Sequence, residues 1–171
     1  MTFGRLDRSG PRPRLVFTRA LAHPPEKVWR ALTRKEHLRA WFPDTVEGEF
    51  EPGGKLRFVS EEHDFAFDGE VTAFEPPELL EIRWGTDLLR FELRAGGDGT
   101  VLTLTDTFDE LGKAARDGAG WHECLDLLEI ELAGAAPDFA PGRRWGEVHP
   151  RYVAEFGPDA STIGPPPGWS P

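Results

Sequence analysis

Apolar and polar residues alternate through most of the chain between Lys55 and Phe108. One phase reads Leu56, Phe58; Phe65, Phe67, Val71, Ala73; Leu80, Ile82, Trp84; Leu89, Phe91, Leu93; and Leu102, Leu104, Phe108. The other carries Lys55, Arg57, Asp68, Glu70, Glu81, Arg83, Arg90, Glu92 and Arg94. Successive side chains of a strand point to opposite faces, so this segment predicts an antiparallel meander with one covered face and one face in water. Pro52-Gly-Gly54, Pro76-Pro-Glu78 and Gly96-Gly-Asp-Gly99 supply turn chemistry at its joins.

Helical spacing flanks the meander. After a first apolar run, Leu15 to Leu21, Pro24-Pro25 opens a helix through Val28, Trp29 and Leu32. Thr33-Arg-Lys-Glu36 has the capping-box spacing for a second helix that ends near Trp41-Phe42-Pro43. Beyond the meander, Leu111, Ala115, Gly118, Trp121, Leu125, Leu128 and Leu132 form one helical stripe. They predict a helix from about Glu110 to Ala133, capped by Asp109 and roughly 35 Å long. Ala115 and Gly118 are small where this stripe should face the sheet. Either the helix approaches the strands closely there, or a chamber for a ligand remains.

The last segment is rich in proline, which removes backbone donors and fixes φ. Within it Trp145, Val148, Tyr152 and Phe156 recur at helical spacing, predicting a short helix near 145–156. Pro150 would sit in its first turn and Gly157 would stop it, and the whole would lie on the domain as an apolar clamp. The expected organisation is a flexible segment over 1–13, a domain over 14–135 and an extension over 136–171.

Charge narrows the partners. Lys and Arg number 20 against 30 Asp and Glu, a net charge of −10. Repulsion from phosphates disfavours nucleic acid and anionic membranes. No apolar run approaches the ~18 residues of a membrane span, and Met1 to Pro13 lacks an apolar signal core, so a cytoplasmic protein without membrane insertion is expected. A single cysteine, Cys124, excludes an internal disulfide framework. The histidines at 23, 37, 63, 122 and 149 lack the three- or four-residue spacing of ligand pairs on a helix, so no metal is expected and they read as surface or core-edge residues. Ser9, Ser60, Ser161 and Ser170 have no nucleophile elbow around them, and no glycine-rich phosphate loop precedes a helix. No cofactor is implied.

Strand, two short helices, meander and long C-terminal helix is the element order of the START-like helix-grip superfamily. Pro24-Pro-Glu-Lys-Val-Trp-Arg-Ala-Leu-Thr33, Glu36-His-Leu-Arg-Ala-Trp-Phe42, Pro52-Gly-Gly54 and Gly120-Trp-His-Glu-Cys-Leu-Asp-Leu-Leu128 resemble the branch named after the activator of heat-shock protein 90 ATPase. The tail with Trp145 and His149-Pro-Arg-Tyr152 resembles an extension of some bacterial members. The resemblance implies an α+β helix-grip fold, a curved antiparallel sheet of about six to seven strands wrapped around the last long helix. The superfamily spreads over lipid carriers, cyclases and hormone receptors, so the resemblance sets fold rather than function.

Two charged residues break the inward phase: Arg19, in step with Phe17 and Leu21, and Asp106, in step with Leu104 and Phe108. First and last strands adjoin in a helix grip, so the two could pair across a chamber, or sit solvated at the sheet rim. The functional reading is a cavity for a small hydrophobic or amphipathic ligand, without catalysis. Its lining would be Trp41, Phe58, Phe65, Phe67, Trp84, Phe91, Trp121, Leu125 and Leu128, with Arg19 and Asp106 as polar handles. Two alternatives stay open. A cyclase- or hydrolase-like enzyme would use Asp106 as its one acid, and a partner-binding module, whether for a chaperone, another protein or a second copy in a homodimer, would use an exposed apolar patch, for which Trp145, Tyr152 and Trp169 of the tail are candidates for a protein partner if they do not pack down.

Overall fold

A computed structural model describes residues 1–60 and 64–165. His63, Trp169 and Ser170 lie outside the described residues. Eight strands form one antiparallel sheet: β1 Arg5–Asp7, β2 Arg14–Leu21, β3 Thr45–Gly48, β4 Lys55–Ser60, β5 Phe65–Glu75, β6 Leu79–Trp84, β7 Asp87–Gly96 and β8 Gly99–Thr107. Their spatial order is β1-β2-β8-β7-β6-β5-β4-β3. Helices α1 Pro25–Thr33 and α2 Lys35–Trp41 follow β2, α3 Ala114–Leu132 follows β8, and α4 Arg143–Phe156 follows α3. The helix-grip expectation holds, with a larger sheet.

The added strands are short pieces at the two edges. β1 pairs with β2, Arg5 opposite Val16, and β3 pairs with β4. Residues 1–13, expected to stay outside the fold, are thus tied to it. The Gly4 N–H donates to the Tyr152 hydroxyl at 2.9 Å, and Phe3 packs on His122 and Tyr152. Such short strands leave little periodicity to read, and β1 is held by β2 together with partners more than a hundred residues away.

The inward phase is largely as expected. Leu56, Phe58, Leu80, Ile82, Leu89, Phe91, Leu102, Leu104 and Phe108 are buried, while Lys55–Glu70, Arg90–Glu81 and Arg90–Glu92 pair on the wet face. One strand slips. A bulge in β5 sets Val71 opposite Ile82 but Ala73 opposite Glu81. The extra residue reverses the phase, so Phe74 rather than Ala73 turns inward and meets Trp29, ring centroids 5.4 Å apart. The β7–β8 hairpin closes with Gly96 opposite Gly99, and Gly97 sits at φ +56, where a side chain would be strained.

Two helix starts differ from the sequence reading. Thr33 stays inside α1, and its hydroxyl donates to the Trp29 carbonyl at 2.8 Å instead of capping α2. Asp109 accepts from Arg12 at 2.7 Å, and a 3-10 turn over Leu111–Lys113 precedes α3, so the helix is shorter than expected. At 1.5 Å per residue it spans about 28 Å.

The tail helix packs along α3 with Trp145, Val148, Tyr152 and Phe156 buried. It begins at Arg143, so Pro150 lies inside it rather than in its first turn. The carbonyl that loses its partner there belongs to Gly146, which has no side chain to crowd the proline ring. No helix of the described residues is long and apolar enough to cross a membrane.

Candidate functional site

Between Phe65 and Trp121 the rings of five elements touch in sequence. Phe65 stacks on Phe67 at 6.0 Å, Phe67 on Phe58 at 5.4 Å and Phe58 on Phe42 at 5.8 Å, with interplanar angles of 20°, 27° and 16°. Trp84 meets Phe67 edge-on at 5.7 Å and Trp121 at 5.4 Å, and Trp121 stands edge-on to Phe42 at 5.9 Å. Offset and edge-to-face pairs are the favoured aromatic geometries. The run starts at the surface, where Phe65 is 51 % exposed, passes the half-buried Phe67 and Trp84, and ends at buried Trp121.

Trp121 leads to the most buried acid. Its Nε1 donates to Asp106 Oδ2 at 3.0 Å, while Asp106 Oδ1 has no donor among the described residues and the side chain is 0 % exposed. Carboxylate oxygens of Asp87, Asp106 and Asp117 lie within 4.8 Å of one another. Such a trio could hold a cation, and Lys113 already brings one: its Nζ lies 2.9 Å from both Asp87 oxygens and 3.3 Å from Asp117. Burial first, then Asp87 and Asp117, pushes the Asp106 carboxyl well above the usual carboxylate range. Asp106 therefore holds its proton to higher pH than an exposed aspartate does, and it is shut away from solvent.

Arg19 does not reach it. Register sets Asp106 opposite Leu15 and Arg19 opposite Leu102, so the pair expected from phase alone is staggered along the strands. Arg19 is buried all the same. Its Nη1 donates to Asp126 Oδ1 at 2.8 Å and Glu129 Oε2 at 2.7 Å, both on α3. Arg144 of α4 grips the other Asp126 oxygen, and His122 Nε2 lies 3.7 Å from it. His122 Nδ1 shares a 2.8 Å hydrogen bond with the Tyr152 hydroxyl. Expected at a surface or core edge, His122 is 0 % exposed. Burial is the first cause that lowers its pKa, to about 4, and the same cause pushes Tyr152 up to about 12.

Gly118 belongs to this second cluster. A Cβ on it would lie 3.2 Å from Tyr152 and 3.3 Å from Phe156, so Gly118 opens α3 to α4 rather than to the sheet. Two hollows on the described surface lie away from the space expected beneath Gly118. One of about 330 Å³ is lined by outward-facing Glu78, Leu79, Arg90, Glu92 and Thr103 on the wet face. A small one of about 40 Å³ lies between α2 and β3 and includes Asp44, whose carboxylate accepts from Trp84 Nε1 at 2.8 Å.

The structure brings Phe58, Phe65, Phe67, Trp84 and Trp121 into one contacting set. Trp41 joins it through Phe42 and Phe91 through Trp41, while Leu125 and Leu128 are buried further along α3. Phe42, Asp44, Asp87 and Asp117 escaped the sequence reading. Asp87 was the visible one, since it is in phase with Leu89 and Phe91. Trp145 and Tyr152, candidates for an exposed patch, are packed down.

Residues 22–133 match the family described as Activator of Hsp90 ATPase homolog 1-like protein. The chain belongs to this family. Among solved structures it resembles a conserved protein of unknown function from Enterococcus faecalis, with a TM-score of 0.74 at 23 % identity over 90 % of each chain. CalU16 from Micromonospora echinospora gives 0.70 at 24 %, covering 91 % of this chain and 96 % of that one. The AHSA1-like protein from Aeromonas hydrophila gives 0.60 at 19 %, covering 74 % and 98 %. At these identities the likeness concerns the fold. No curated protein sequence matches the chain.

Proposed function

We propose that the protein binds a small apolar or amphipathic molecule at the aromatic end of the helix grip, between β4, β5, β6 and the first half of α3, and performs no chemistry on it. The observation that carries this reading is the unbroken run of rings from exposed Phe65 to buried Trp121. Large rigid rings give contact area at little entropic cost, and a run that begins at the surface can admit a guest by side-chain rotation. Family membership is compatible with a binding module, for a ligand or a protein partner. The enzyme alternative rests on Asp106, which Trp121 covers and solvent does not reach.

The test is fluorescence titration with N-phenyl-1-naphthylamine, a neutral dye, on the full chain and on Trp84→Ala and Phe67→Ala. Saturable binding near one dye per chain is expected, weakened in both variants while their circular dichroism stays that of the parent. No saturable binding up to the solubility of the dye overturns the reading.

A further inference from the structure

Phe65, Phe67, Phe58 and Phe42 form one offset stack, each ring nearly parallel to the next at 20°, 27° and 16° with centroids 6.0, 5.4 and 5.8 Å apart. Strand pairing fixes its middle. Phe58 stands opposite Phe67 across β4 and β5, and a Cβ on Gly69, the next residue of β5 on the same face, would fall 2.6 Å from Phe58 Cε2. Glycine there lets the ring close on the strand. Trp84, opposite Gly69 on β6, bounds the stack at the side and meets Phe67 at 67° and 5.7 Å. Phe65 is held least. It is 51 % exposed where Phe58 and Phe42 are 0 % and 8 %, and it stands in the terminal pair of the β4–β5 ladder, opposite Ser60.

We propose that the Phe65 ring keeps the place of the ligand, and that the ligand is a flat aromatic molecule that displaces this ring and stacks on Phe67; this rests on the binding reading above. The protein's own phenyl group marks the seat. A side chain half in water gives up little apolar contact when it turns about χ1, so the displacement costs less here than at any other ring of the stack. A flat guest parallel to Phe67 meets the Trp84 indole at the same steep angle as Phe67 does, and so takes both favoured aromatic geometries at once. An acyl chain or a saturated ring system of equal size gains burial alone. The seat selects shape rather than charge.

The experiment compares three ten-carbon alcohols, 2-naphthol, decahydro-2-naphthol and decanol, as competitors of the neutral dye on the full chain, each affinity divided by the compound's octanol–water partition coefficient. After that correction the naphthol is expected to lead both saturated alcohols about tenfold. Phe67→Leu should erase the lead, because leucine keeps apolar surface and removes the ring. Phe65→Ala should instead tighten naphthol binding about threefold, since the seat is then already vacant. A parent chain without the lead, a lead that survives Phe67→Leu, or unchanged or weaker naphthol binding in folded Phe65→Ala overturns the proposal and leaves the binding reading standing. Saturable dye binding that none of the three displaces does the same, and the absence of saturable dye binding overturns both. Should Phe67→Leu fail to fold, the ranking on the parent chain and the response of Phe65→Ala decide.

Discussion

Helix α3 carries a buried polar cluster on each of two faces, and they solve burial in different ways. Against α4, Arg19, His122, Asp126, Arg144 and Tyr152 interlock through opposite charges and a neutral imidazole–phenol bond. Against the sheet, Asp106 lies beside Asp87 and Asp117, with Lys113 among them and Arg116 on Asp117, and burial makes it hold its proton to higher pH than an exposed aspartate. The first cluster joins separate elements and makes the tail part of the fold. The second sits at the end of the aromatic run and joins nothing that the strands and α3 do not already hold. A buried ion pair is costly to break from one side, whereas a neutral acid tolerates an uncharged isostere.

The largest expected effect is on the α4 side. A chain ending at Gly134 loses the burial of Trp145, Val148, Tyr152 and Phe156, each contributing roughly 1.5 to 3 kcal/mol, and uncovers Arg19 and His122. Urea denaturation should show a loss of more than about 4 kcal/mol, or no cooperative unfolding at all. A midpoint like that of the full chain would mean that α4 is not docked.

Next is acid. His122 titrates at about 4 in the fold against 6.5 in the unfolded chain, so the unfolded state binds the extra proton between those values. Stability should therefore fall as pH drops from 6.5 to 4, by about 3 kcal/mol at 1.36 kcal/mol per unit. His122→Gln, compared with the parent across that window, should flatten this part of the pH profile. An unchanged slope would place the acid sensitivity on other groups.

Smaller still is Gly118→Leu, which forces Tyr152 and Phe156 outward and should cost about 1 to 3 kcal/mol by overpacking. Dye affinity at the aromatic end should stay as it was. A fall in affinity with unchanged stability would return the space near Gly118 to the ligand.

Asp106→Asn should have the smallest effect. The amide oxygen still accepts from Trp121 and its N–H can reach toward Asp87, so the change at pH 5 should stay within about 1 kcal/mol. The raised folded pKa of Asp106 gives a contribution that is full below the unfolded value of 3.8 and lost as pH rises through the folded value. The asparagine variant should accordingly gain on the parent as pH rises. A loss of several kcal/mol at every pH would show that Asp106 is ionised and paired.

Period and punctuation carried the fold. Alternation through Leu80, Ile82, Leu89, Phe91, Leu102 and Leu104 had one solution, a sheet wet on one side, and the stripe from Ala115 to Leu132 had one solution, a helix across it. The aromatic members of the candidate site were legible for the same reason, because hydrophobic phase states which face a ring takes. Asp106 and Arg19 were visible as charges out of phase.

What stayed hidden depended on distance in space rather than along the chain. Gly118, His122 and Asp126 form a second stripe on α3, but glycine, histidine and aspartate read as solvent-facing until α4 is laid over them. Arg19 and Asp106 share a phase, yet only the register of β2 on β8 decides that they stand apart, Asp106 facing Leu15 and Arg19 facing Leu102. The bulge at Thr72 is likewise a property of two strands fitting together. Local sequence sets which face a side chain takes, because backbone geometry alone enforces that period. Which partner waits on that face is set by packing among elements brought together from distant parts of the chain, and only the folded structure fixes it.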